Sequence, residues 1–301
     1  MNATTHTEIY RPFTGTLAPA RPAFWPLYRS RVRQNLKRKL PLLLTLVPPW
    51  ISAIIFSFVV YTKFTVEQGG DSPLTGSPLG AFAGAAIGQM LAVHKQIITF
   101  ATVSSLFALV MIAWYGAGQI CEDRRAGAHL LYFSRPLTRL DYFLAHFATA
   151  FTFGAFAVIL PILLICTVAV FSSPEYSFLI EKWDVVLGAL GYSVINVAVM
   201  SLIVLAISSV SSRKTYALAG VFGFVLGLDA LGGVLWQLQR DKNFAIIGVM
   251  RNFRRLIEWM LSDNDPRFDW NPWWSAAVLG GIALAAAIVI ASRLKRMEVV
   301  A

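Results

Sequence analysis

Charge is what this sequence has least of. Only 14% of its 301 residues are Asp, Glu, Lys or Arg, while 56% are hydrophobic. Residues 96–121 contain none of the four charged types, and residues 142–174 contain none either. Each gap exceeds the roughly 20 apolar residues that a helix needs to cross a bilayer. With a mean hydropathy of +0.61, they exclude a soluble globular domain. Cysteine is scarce as well: Cys121 and Cys166 alone build neither a disulfide framework nor a zinc motif. The four histidines (His6, His94, His129, His146) are scattered, with no two on one helix face as metal or haem ligands would be. No G-x-x-x-x-G-K-[ST] occurs, so the chain cannot cradle ATP as a P-loop does, and no cofactor is expected on it. G-x-S-x-G and H-E-x-x-H are missing too. An enzyme working inside the bilayer needs ionisable residues clustered at one depth, and the spans offer a single candidate, Asp229. No secretory signal peptide is expected, because the first 38 residues hold no apolar run.

What is there is organised around one charged stretch, Q-I-C-E-D-R-R-A-G-A-H-L-L-Y-F-S-R-P-L-T-R-L-D-Y, from Gln119 to Tyr142. It lies between the two charge-free runs, so it is a polar element held at a membrane surface. Glu122 and Asp123 stand at its front, where negative charge suits a helix N-terminus. Arg124 and Arg125 follow, then residues 126–133 read as a short helix with an apolar side of His129, Leu130 and Phe133. Pro136 forces Arg135 out of helical geometry and ends that helix. Thr138 can cap the next helix, with Asp141 in the capping-box position. The plain alternative is a charged loop obeying the positive-inside rule.

In order and placement the run E-D-R-R-A-G-A-H-L-L-Y-F-S-R-P-L-T-R-L-D-Y resembles the cytoplasmic loop between the second and third membrane helices of ABC-2 type transporter permeases. That family carries an acidic pair, a nearby glycine and a (Leu/Tyr)-x-(Ser/Thr)-x-Pro-(Leu/Ile)-x-Arg run, here Tyr132 to Arg139. The close match covers about 24 residues, and the rest of the chain matches by the order of its spans. The resemblance implies a coupling helix that docks into a groove on a separate ATPase subunit, which would hold the ATP and magnesium. It assigns Glu122 and Asp123 to basic residues of that ATPase. Arg124, Arg125 and Arg135 would meet its acidic groups or carbonyls. Gly127 would allow close approach, Pro136 would set the helix end, and Ser134 and Arg139 would complete the motif. It also implies a second permease copy or a related permease.

The expected fold is an all-α integral membrane protein with six spans. Residues 1–23 form a polar tail. Residues 24–40 form an amphipathic interfacial helix, in which Leu27, Tyr28, Val32, Leu36 and Leu40 recur at helical spacing. Arg29, Arg33, Lys37 and their neighbours fill its other faces, with Trp25 and Tyr28 at headgroup level. The resemblance makes this the connecting helix, which lies on the cytoplasmic leaflet and also touches the ATPase. A plain basic anchor is the alternative. The transmembrane domain covers residues 41–292, with spans at about 40–62, 97–118, 142–171, 185–210, 216–238 and 273–292 and the coupling loop at 119–141. Pro48 and Pro49 should kink or locally unwind the first span, and Pro161 the third. Residues 239–271 break the pattern of short loops. They place Phe244, Ile247, Met250, Phe253, Ile257 and Met260 on one side of an amphipathic helix lying in an interface, and Arg251, Arg254, Arg255 and Glu258 on the other; the resemblance implies that this segment is external and partly re-entrant. Its basic content suits anionic lipid or substrate headgroups.

The net charge of +10 does not point to nucleic acid, because the basic residues flank spans. With both termini inside, 17 of the 26 lysines and arginines face the cytoplasm, including the basic C-terminus at 293–301. Six of the remaining nine crowd into residues 239–271, a counterweight that the resemblance resolves in the same direction. Asp229 lies roughly 20 Å along the fifth span. It either lines or gates a transport route, or caps the break after the span, aided by Gly227, Gly232 and Gly233. The expected function is the permease subunit of an ATP-driven exporter in the plasma membrane (the inner membrane if bacterial), not itself an enzyme. A non-transporting anchor or assembly factor for a soluble partner is the alternative, and a membrane-embedded enzyme a lesser one.

Overall fold

A computed structural model describes residues 22–37, 39–67, 93–128 and 137–298. Most of the polar tail, the 68–92 connection, the C-terminal 299–301 and the loop centre with His129, Leu130, Phe133, Ser134, Arg135 and Pro136 lie outside the described residues. The described chain is helical, with no strand among its residues. Its helices are α1 (Phe24–Leu36), α2 (Lys39–Glu67), α3 (Val93–Gly116), α4 (Gln119–Arg125), α5 (Arg139–Ala157) and α6 (Ile159–Ser172). They continue with α7 (Ser177–Glu181), α8 (Trp183–Val210), α9 (Lys214–Gln239), α10 (Val249–Met260) and α11 (Pro272–Glu298). Single 3-10 segments, Pro174–Tyr176 and Lys242–Ile247, precede α7 and α10.

Among the described residues, six segments are long and apolar enough to cross a membrane: Pro41–Thr65, Val93–Arg125, Arg139–Ser172, Trp183–Val210, Lys214–Gln239 and Pro272–Lys295. A spanning helix satisfies every backbone group internally, which hydrocarbon demands. The prolines act differently at the two places where they were expected to matter. Pro48 and Pro49 stay inside a continuous α2, so the first span is not unwound. The third span is two helices, divided at Val158 (φ −126, ψ −57). The ring of Pro161 excludes the carbonyl of Ala157, and its missing N–H leaves that carbonyl without its donor.

The fourth span, α8, is the hub. It packs on α3, α5, α6, α9, α10 and α11. In the apolar windows of the second and fourth spans, 61% and 67% of residues are buried, against 28%, 17% and 22% for the first, fifth and sixth. Lipid tails are as apolar as leucine, so close van der Waals packing holds such helices together. Gly154 marks one such close approach. A Cβ there would stand 2.6 Å from Cγ1 of Val197 on α8 and 2.7 Å from Cδ1 of Ile112 on α3. Just beyond, Ser105 on α3 shares a 2.9 Å hydrogen bond with the Tyr192 hydroxyl, and the Asn196 amide donates to Ser105 Oγ at 2.9 Å.

Candidate functional site

The charged stretch begins as an extension of the second span. After α3 ends at Gly116, the chain breaks for two residues and re-forms a short helix, α4, that carries Glu122 to Arg125. The acidic pair therefore lies in the middle of a helix appended to the span, not at the front of a free one. The α4 residues Gln119, Ile120, Cys121 and Asp123 are buried, whereas Glu122 and Arg125 are exposed.

Three neighbouring helices hold α4 in place. Its Ile120 and Cys121 amides donate to Ser208 Oγ on α8, at 3.2 and 3.3 Å. Arg124 donates to the carbonyl of Ser209 at 2.8 Å and to that of Ser211. These carbonyls close the C-terminal end of α8, where a helix leaves acceptors unpaired and favours a cation. On its other side Asp123 pairs with Arg31 of α1. Its second oxygen accepts from the Tyr142 hydroxyl at 3.2 Å and stands 3.4 Å from His146 Nε2, both on α5. Gln119 donates to the Tyr115 carbonyl at 3.1 Å, which turns its amide oxygen toward His146 Nδ1 at 2.9 Å. With only 4% of its surface exposed, Asp123 is a buried charge with a guanidinium and a phenol as partners.

This arrangement corrects the outward assignment of Asp123 and Arg124. Both face the interior because α4 turns one face to α5 and α8, and the two side chains fall on or beside that face. Gly127 has a φ of +67, the left-handed conformation that ends α4, and a Cβ there would meet nothing within 4 Å among the described residues, so within this chain backbone conformation is what requires the glycine. Thr138 and Asp141 form the expected capping box: the Asp141 amide donates to Thr138 Oγ1 at 3.1 Å and the Thr138 amide to Asp141 at 3.2 Å. Arg139 opens α5, exposed.

On α1, Trp25, Arg29 and Arg33 are exposed, as is Lys37 at its C-terminal end. Leu27 is buried, and the Tyr28 hydroxyl shares a 3.0 Å hydrogen bond with Thr152 of α5. The sequence reading missed Arg31. The signal was its phase: it follows the buried Leu27 by four residues, so it points to the packed side, where a cation needs an acid.

A second constellation lies at the opposite end of the bundle. Asp229 accepts from the Met250 amide at 2.9 Å and the Arg251 amide at 3.4 Å, and so caps α10 from a neighbouring helix. The N-cap of α10 is Gly248, which has no side chain to do this, and a Cβ there would stand 2.4 Å from Asp229 Oδ1. The face assignment for α10 needs correction. Glu258 is buried and takes a 2.9 Å bond from Arg254, one turn away on the same helix. Contacts with α3, α8, α9 and α11 cover α10, so it closes this end of the bundle instead of lying free on a surface.

No protein-family model and no curated protein matches this chain. Its described residues form helices without strands, and the six long apolar ones make it a multi-pass membrane protein by length and composition.

Proposed function

We propose that this chain is the membrane subunit of an ABC-2 type exporter, and that the loop opening at α4 is where a separate ATPase subunit acts on it. The observation that carries the reading is the bracing of α4. An ordinary solvent loop needs no such anchorage, whereas Asp123 and Arg124 tie this one to α1, α5 and α8 together. Nucleotide-driven movement of the ATPase would then move these helices as a unit. Glu122 and Arg125, both exposed, are the residues of α4 left to meet the ATPase, with Arg139 across the loop and Arg29, Arg33 and Lys37 on α1 beside it. ATP and magnesium stay on the partner. The weakly buried first, fifth and sixth spans leave apolar surface for a second permease copy. The setting would be the plasma membrane, with both termini and α4 in the cytoplasm.

The test is affinity purification from the native membrane, beside a Glu122→Arg/Arg125→Glu variant. An ATPase subunit should co-purify with the natural chain and be lost from the variant, while gel filtration of the two permeases stays the same. If no ATPase accompanies either form, the exporter reading fails. An ATPase that binds through these residues but whose turnover no substrate changes would favour the anchor reading.

A further inference from the structure

At the α10 end, a cavity of about 320 Å³ opens between α3 and α9. This is the size of many small-molecule sites, which run roughly 300–1,000 Å³. Leu106 of α3 and Leu226 of α9, both exposed, give it an apolar wall. Its other end carries Arg251, Arg254 and Arg267 against one acid, Asp229. That acid is committed to the α10 amides. Arg254 is matched by Glu258. Arg251 feels the charge of Asp229 nearby, but no side chain accepts from its Nη1, which is buried and finds no acceptor among the described residues. Gly232 and Gly233 make room for it, since a Cβ on either would stand 2.9 and 2.7 Å from its guanidinium nitrogens. A buried guanidinium donor without an acceptor is costly unless a ligand supplies one.

We infer that this cavity binds an anionic phospholipid, with the phosphate between Arg251 and Arg267 and an acyl chain along Leu106 and Leu226. The shape suits an amphiphile better than a free anion. The cations sit at one end only, and the walls that lead away from them are those of a membrane-facing cleft. By helix rise, Leu106 is about 20 Å from the Val93 end of α3, so a chain lying there would reach toward the middle of the bilayer. This inference needs only the six spans and stands apart from the exporter reading.

The experiment uses the full-length chain in detergent, with bound lipid counted by native mass spectrometry after addition of dioleoyl phosphatidylglycerol or dioleoyl phosphatidylcholine. Phosphatidylglycerol should be retained in preference. An arginine near an anionic headgroup contributes about fivefold, so Arg251→Gln and Arg267→Gln should each weaken retention by about that factor. Leu106→Trp, which fills the cavity, should abolish the preference, and Arg213→Gln at the far end should leave it unchanged. Gel filtration checks folding, and the exposed Arg267 carries the test if the Arg251 variant fails to fold. Equal binding of the two lipids, retention indifferent to both arginines, or displacement of the lipid by millimolar inorganic phosphate would each overturn the inference.

Discussion

The brace at Asp123 sets a measurable cost. Removing one partner from a buried ion pair costs about 3–5 kcal/mol, because the other charge stays desolvated. Arg31 keeps 18% of its side chain exposed, so water can take over part of its charge. Asp123→Asn also preserves an acceptor for the Tyr142 hydroxyl. Together these lower the expected loss to about 2–3 kcal/mol. Arg31→Gln should cost less, about 1–2 kcal/mol. The double variant should fall short of the sum by about 1–2 kcal/mol, the coupling of the pair. Reversible unfolding in mixed SDS micelles gives the total. The location of the loss is read from Cys121, which is buried on α4 beside Asp123, with Cys166 buried in the third span as the internal control. If α4 opens locally, a maleimide should modify Cys121 roughly 30- to 150-fold faster in Asp123→Asn, at tenfold for each 1.4 kcal/mol, while Cys166 stays protected. Glu122→Gln, changed on the exposed face, should alter neither reading. Unchanged stability and unchanged Cys121 protection in Asp123→Asn would refute the brace.

Two further predictions concern the bundle and its far end. Gly154→Ala should destabilise the chain by about 1–3 kcal/mol through overpacking against Val197 and Ile112, and Val197→Ala should recover much of that loss in the same SDS titration. Asp229→Ala should cost about 1–2 kcal/mol as a lost helix cap and speed hydrogen exchange at the Met250 and Arg251 amides, whereas Asp229→Asn should retain part of the protection.

The spans were legible because apolar length is a strong one-dimensional signal, and all six appear close to their expected positions. The Thr138–Asp141 capping box was legible for a similar reason: both partners sit within one turn, so spacing alone places them. Pairings between distant segments were not. Nothing local in E-D-R-R says which acid faces inward, because that depends on α1 arriving with Arg31 and α5 with Tyr142 and His146. The same holds for Glu258. A helical wheel puts it with the arginines, but α10 is covered on several sides, and a glutamate with an arginine partner one turn away tolerates burial. Asp229 showed its unusual depth in the sequence, while the amides it caps lie more than twenty residues on, across a segment whose path no periodicity gives.

The two constellations share one structural member. At one end, Ser208, Ser209 and Ser211 bind α8 and its C-cap to α4. At the other end, Gly188 of α8 lies so close to α10 that a Cβ would stand 2.5 Å from the Met260 carbonyl oxygen. The intervening 20 residues are uninterrupted helix, a strut of about 30 Å. A displacement of α4 cannot be absorbed by bending at a proline or a break, since α8 contains neither. The third span does contain such a break, at Val158, where bending would concentrate. On the exporter reading, a push at the loop would therefore reach α10 through the fourth span and leave the far half of the third behind. That asymmetry would change the cleft between α3 and α9, because α10 roofs it.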